Sequence, residues 1–333
     1  MTSEFELVDQ LRELFSVPEG VAVGIGDDAA VLEPGRFDLV TMDTLVEGVH
    51  FRTDWSEPEE IGWRALAANL SDVAAMGGGP GAFFLSLALP EPLDAQWVQR
   101  LCEGMKEAAA ALVPQSFEVS AGGGDLSSSP GPAVISITLL GEASPAGPVL
   151  RRGAVPGDRI VVLGTPGQAE AGIAVLASAE LAAEDFPRSV QAYQQPRPQV
   201  HAGGLLGLYG VPSAMIDTSD GLLQDLTHIL QASRVGARVD SYQLRIPPEL
   251  VELEEAGVGR ALDWVLTGGE DFCLILTVPP ARMPKLWDMA RDRDWVVQDF
   301  GEIRAPEEGL QVLGLDGEPL ELEKSGFRHF EES

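Results

Sequence analysis

Apolar positions along the chain switch repeatedly between helical and strand spacing, which predicts a mixed α/β protein. Phe5, Leu7, Val8, Leu11, Leu14 and Phe15 recur at helical intervals and predict an amphipathic helix over 4–15. A Gly- and Asp-rich segment, GIGDDAAVL, follows from Gly24 to Leu32. FDLVTMDTL reads as a strand ending near Asp43, and residues 58–76 as a long Ala- and Leu-rich helix. AFFLSLALP reads as a strand closed by Pro90, and about 94–113 as a second helix. AGGGDLSSSPGP reads as a loop, and AVISITLLGEA as a strand returning through the sheet.

SPAGPVLRRGAVP, residues 144–156, is rich in Pro and Gly and has no period, so a domain boundary is placed there. The expected domains are 1–145 and 146–333. Beyond the boundary the alternation resumes. DRIVVLG is a strand, 167–181 a helix, 187–198 a Pro-rich link and about 199–208 another helix. SAMID is a strand, 219–235 a helix, DFCLILTVP a strand, 281–291 a helix and WVVQDFGEI a strand.

A length of 333 residues fits two domains, and 45% apolar with 22% charged residues is an ordinary globular composition. No apolar run approaches a membrane span. The opening MTSEFELVDQLREL carries acids where a signal peptide is basic and then apolar, so a cytoplasmic protein is expected. The charge changes the picture more: 22 basic against 52 acidic residues gives −30, and only Lys106, Lys285 and Lys324 are lysines. Such a chain lacks the basic footprint of a nucleic-acid binder and is repelled by anionic membranes. It can still take a phosphate compound if metal ions bridge the two anions. Cys102 and Cys273 form no CxxC pair, and the four His show no HxxxH spacing, so disulfide and Cys-type zinc chemistry are not expected.

No Walker A loop, kinase-type HRD or DFG, GxSxG elbow or HExxH is present. Instead, acidic residues sit in turns of small residues: Asp27 and Asp28 in GIGDD, Asp43 in TMDT, Asp72 in NLSD and Asp125 in GGGD. Asp217 and Asp220 in DTSDG and Glu270 and Asp271 in GGED complete the set. Small neighbours let backbone amides and carboxylates approach a polyanion, and hard oxygen donors suit Mg2+. Taken singly, each Asp also fits a turn or a helix cap.

In their order and spacing, GIGDDAAVL, TMDTLVEGVHF, ALAANLSDVAAMG, GGGDLS, RRGAVPGDRIVVLG, IDTSDGLLQDL and LTGGEDFCLIL resemble the thiamine-monophosphate kinases, along nearly the whole chain. The resemblance implies the two-domain fold of the aminoimidazole ribonucleotide synthetase-like ATP-binding proteins. The N-terminal sheet domain would bind ATP and Mg2+ and pair with a second copy into a dimer barrel. The C-terminal α/β domain would complete the ATP and substrate site. The implied reaction transfers the γ-phosphoryl group of ATP directly to thiamine monophosphate, giving thiamine diphosphate.

Carried over motif by motif, Asp28, Thr41, Asp43, Asp72, Asp125, Asp217 and Asp220 would be ligands of several Mg2+ ions. Phe117, Gly124, Asp125, Arg151 and Ser219 would contact ATP, and His50, Glu270 and Phe327 the thiamine substrate. Which of Asp27 and Asp28 acts is open, because adjacent strand residues face opposite ways, and so is which of Arg151 and Arg152 reaches phosphate, since the pair also fits a solvated linker. Phe117 stands where the family often has Tyr, which keeps a ring and loses a hydroxyl. No general base is expected, because a phosphate monoester has a second pKa of about 6 and is already ionised at pH 7. A purine-precursor ring-closing relative, a non-enzymatic Mg·ATP-binding protein and a purely structural acidic protein are the competing readings.

Overall fold

The computed structural model describes residues 14–15, 18–23, 31–33, 35, 37–92 and 94–320. The expected helix over 4–15 (apart from its last two residues), Asp27, Asp28 and Phe327 lie outside the described residues. Two compact units emerge. One takes the chain up to Ala74 together with Gly78–Pro145, the other Ala75–Gly77 together with the chain from Ala146 on. No helix among the described residues is long and apolar enough to cross a membrane.

The first unit contains a short antiparallel pair, β1 (Val21–Val23) with β2 (Val31–Leu32), and a four-stranded sheet. The sheet is built from β3 (Leu39–Val46), β4 (Gly79–Pro90), β5 (Ser120–Ser129) and β6 (Val134–Glu142), in the order β3-β6-β4-β5. Helices α1 (Pro58–Ala75) and α2 (Ala95–Leu112) lie on one face of it. Val73 of α1 touches Gly141 of β6, and Gly62 and Gly104 bring the two helices within backbone contact of each other. Asp94 caps α2 by accepting from the Gln96 and Trp97 amides. Burial alternates along β6: Ile135, Ile137 and Leu139 are fully buried under the helices. The opposite face carries Val40 (69% exposed) and Met42 (61% exposed). That is a two-residue period with an apolar set on both faces, where an ordinary surface sheet has polar residues outward.

The second unit is built on a six-stranded sheet of β7 (Arg159–Leu163), β8 (Ala214–Asp217), β9 (Gly236–Asp240), β10 (Leu274–Val278), β11 (Val297–Arg304) and β12 (Leu310–Leu313). Its order is β12-β9-β11-β7-β10-β8, antiparallel except for β12 against β9. Among its described residues are the α-helices α3 (Gln168–Ala177), α4 (Pro187–Gln194), α5 (Val200–Leu208), α6 (Leu222–Ser233), α7 (Pro248–Glu255), α8 (Ala261–Thr267) and α9 (Met283–Arg291). One core joins Ile160, Val162, Ile216, Ile275 and Phe300 to α3, α6, α7 and α8. A second joins Val161, Leu163, Met215 and Leu276 to α5 and α9. Both faces of the central strands are therefore covered, which is why IVVL and LIL read as unbroken apolar runs.

Three expectations are corrected. AGGGDLSSSPGP is mostly strand, not loop. Its residues 120–129 pair in parallel with β4, and a side chain at Gly124 would collide with the Leu85 carbonyl. Glycine permits that close approach, and tertiary pairing overrides its weak strand propensity. The link at 187–198 holds helix α4. Pro187 occupies its first turn, and the Glu249 carboxylate accepts from the Arg188 and Ser189 amides at 3.2 and 2.8 Å, a cap supplied 60 residues away. The strand at TMDT continues past Asp43 to Val46. The period also left β9, α7, α8 and β12 unannounced; each is short, and α8 spans only seven residues.

Candidate active site

In the first unit three of the expected ligands, Thr41, Asp43 and Asp72, lie on the helix-covered side of the sheet. The Thr41 hydroxyl donates to the carboxylate of Asp72 on α1. Asp43 lies two residues further along β3, on the same face as Thr41. Asp125 is not brought to them. The row Asp43–Ile137–Leu85–Gly124 crosses the whole sheet, so Gly124 sits on the far edge strand. Three strand spacings separate the two ends, about 14 Å. Asp125 belongs to the next row, with Ser86, Ser136 and Thr44, and is exposed.

His50 closes the turn after β3. Its Nδ1 accepts from the Val46 amide at 3.1 Å, which puts the ring proton on Nε2. Phe117 follows α2 with its ring packed over Gly79, where any side chain would overlap it. It is 38% exposed.

In the second unit two loops are joined backbone to backbone. Asp217 ends β8 and is buried. The Glu270 amide donates to the Ser219 carbonyl at 2.8 Å, the Phe272 amide to the Thr218 carbonyl at 2.9 Å, and the Cys273 amide to the Thr218 hydroxyl at 2.9 Å. Gly269 is needed for this approach, since its Cβ would lie 2.5 Å from the Ser219 carbonyl oxygen. Glu270 and Phe272 take φ values of +67° and +48°, which side chains normally avoid. Arg151 is exposed; the neighbouring Leu150 carbonyl accepts from Met215 of β8, and the Ser233 hydroxyl donates to the Arg151 carbonyl.

Three further acidic or basic groups join this locus without having been singled out as ligands. Asp225, in the first turns of α6, accepts from the Ser219, Asp220 and Gly221 amides at 3.0–3.1 Å. The ligand atoms of Asp220, Asp225 and His228 lie within 4.8 Å of one another. Asp225 and His228 are three apart on a helix that opens right after DTSDG, and that spacing was the available signal. Asp271 accepts from the Gly167 and Ala169 amides at 2.5 and 2.9 Å and so caps α3. Burial, with the neighbouring Asp217 and Asp220 charges adding to it, pushes Asp225 up to about 8. Burial pushes Asp271 up to about 7, against the pull of the amides it accepts from. The oxygen-rich donor set fits Mg2+ better than it fits a soft metal.

A pH effect follows. Both carboxyls hold their proton more tightly folded than unfolded, where the ordinary value is 3.8. Their contribution to stability is therefore complete below that value and is lost as pH rises through about 7 to 8. Metal-free protein should melt at lower temperature at about pH 8.5 than at about pH 6, and Asp225→Asn should flatten that slope. Thermal melts of the two proteins side by side check it, and equal slopes would refute it.

The family profile described as AIR synthase related protein, N-terminal domain, matches residues 26–143, and the corresponding C-terminal domain matches 155–312. A thiamine-monophosphate kinase of Salmonella typhimurium is 39% identical over 93% of this chain and 92% of its own length. The crystal structure of thiamine-monophosphate kinase from Stenotrophomonas maltophilia superposes with a TM-score of 0.81 at 34% identity, covering 96% of this chain and 98% of that one. The solved structure of AaThiL complexed with AMPPCP and TMP superposes at 0.74, with 29% identity, covering 98% of this chain and 97% of that one. With two AIR synthase-related domains and relatives of this similarity along its length, the chain belongs to the thiamine-monophosphate kinase family.

Proposed function

We propose that the protein transfers the γ-phosphoryl group of ATP directly to the phosphate of thiamine monophosphate, giving thiamine diphosphate and ADP. One observation carries the directness. The Glu270 amide is bonded to the Ser219 carbonyl, so the residue assigned to thiamine monophosphate and the loop assigned to ATP are held side by side. Direct transfer requires donor and acceptor to be held at this kind of distance.

Asp28, Thr41, Asp43, Asp72, Asp125, Asp217 and Asp220 are the residues that would hold Mg2+. When bound, Mg2+ would neutralise the roughly six negative charges of the two substrates, which three lysines cannot. Ser219 and Arg151 would bind ATP phosphates, Gly124 would let the nucleotide lie against the backbone, and Phe117 would offer its ring to the base. His50 would donate from Nε2, and Glu270 and Phe327 would contact the thiamine moiety. The acceptor oxygen is already ionised, so no side chain need remove a proton. The exposed face bearing Val40 and Met42 supports pairing of two copies through this sheet.

The test is ³¹P NMR of the protein with ATP, Mg2+ and thiamine monophosphate. Thiamine diphosphate and ADP should appear without free phosphate. Free phosphate as the product, or nucleotide binding without turnover, would refute direct transfer.

A further inference from the structure

The joined loops have unequal anchors. The DTSD side is held by Asp225, which takes the Ser219, Asp220 and Gly221 amides together. The GGEDF side has two residues at positive φ, Glu270 and Phe272, one on each flank of Asp271. A conformation of this kind persists only where the surroundings over-determine it. The bonds to Ser219 and Thr218 hold the backbone of 270–273 on one side. On the other side the Asp271 carboxylate grips the amides of Gly167 and Ala169 at the start of α3. A carboxylate on backbone amides is among the stronger hydrogen bonds, and α3 is a ten-residue helix seated in the core.

We propose that Asp271 is a positioning residue: by plugging the N-terminus of α3 it fixes the left-handed turn at Glu270 and so sets where that carboxylate meets the thiamine substrate. This rests on the reading of Glu270 given above. Asp271 itself touches no substrate. Because Asp225 anchors the nucleotide loop independently, loss of Asp271 loosens the acceptor side and leaves the ATP side in place. That split separates positioning from a general loss of structure.

The experiment compares wild type, Asp271→Ala and Asp271→Asn, with Glu270→Gln as the benchmark. KM for each substrate, kcat, Tm and amide exchange over residues 267–273 are read. Asp271→Ala should raise KM for thiamine monophosphate about 10- to 100-fold and KM for ATP less than about twofold, the size expected for one lost charge-assisted anchor. Asp271→Asn keeps one acceptor oxygen but sets its NH2 against the second amide, so it should show the same split at a smaller size. Exchange at Glu270 and Phe272 should accelerate in both variants, and more slowly exchanging amides should persist at Ser219 and Asp220. Parallel changes in both KM values, or none, would overturn the proposal. If Asp271→Ala does not fold, Asp271→Asn carries the same comparison. If the wild type makes no thiamine diphosphate, the functional reading fails, and exchange in Asp271→Asn still decides the anchor: unchanged protection at 270 and 272 refutes it.

Discussion

Replacing Asp43 by Asn should lower kcat about a thousandfold while the protein stays folded, because one anionic member of the proposed Mg2+ ligand set would be lost while the side chain keeps its size. Asp43 occupies the same face of β3 as Thr41, whose hydroxyl already binds the Asp72 carboxylate. Three oxygen-bearing side chains of two elements, β3 and α1, thus lie where the buried face of the sheet meets the helix. An amide at position 43 still accepts hydrogen bonds, so β3, paired along its whole length with β6, has no reason to shift. A single-turnover assay with excess Mg2+, together with a thermal melt, reads both halves of the expectation. Activity within tenfold of wild type would remove Asp43 from the ligand set.

If two copies pair through the open face of the first sheet as proposed, Met42→Asp should convert the dimer into a monomer, raising the dissociation constant by more than about a thousandfold. Met42 is 61% exposed on the open face of the first sheet, beside Val40 at 69%. Its row runs on through Thr138 to Phe84, so the same face extends across three strands. In a two-fold interface the same position meets its symmetry mate's surroundings twice, and two unpaired carboxylates are then desolvated at once. Sedimentation velocity over a concentration series would measure the change. A wild-type protein that sediments as a monomer, or a variant that still dimerises, would refute pairing through this face.

Much of the architecture is written in local pattern. The unbroken run RIVVL and the alternation of VISITLLGE each match their strands, and 58–76 matches α1 to within a residue, because burial on one or both faces imposes a period that survives in sequence. DTSDG and GGED were legible as turns for a different reason, since Gly and Ser next to acids are what close backbone approach demands, whereas Asp43, Asp72 and Asp125, expected in turns, lie within β3, α1 and β5. Short elements were not legible. Helix α4 starts with a proline and is capped by Glu249, and β5 is a Gly-rich edge strand that exists because β4 lies beside it. In both, partners far along the chain supply the energy that local propensity lacks.

The site divides along the same line. Sequence by itself named DTSDG and GGED as chemistry-bearing turns. Only the tertiary structure tied them together through Ser219 and Thr218, turned Asp225 inward onto three amides, and sent Asp271 to the end of α3. It alone set Asp125 three strands away from Asp43. The physical reason is that residue type and spacing encode which groups can bind an ion. Register and long-range hydrogen bonds decide which of them meet, and those depend on contacts between residues 50 to 100 positions apart.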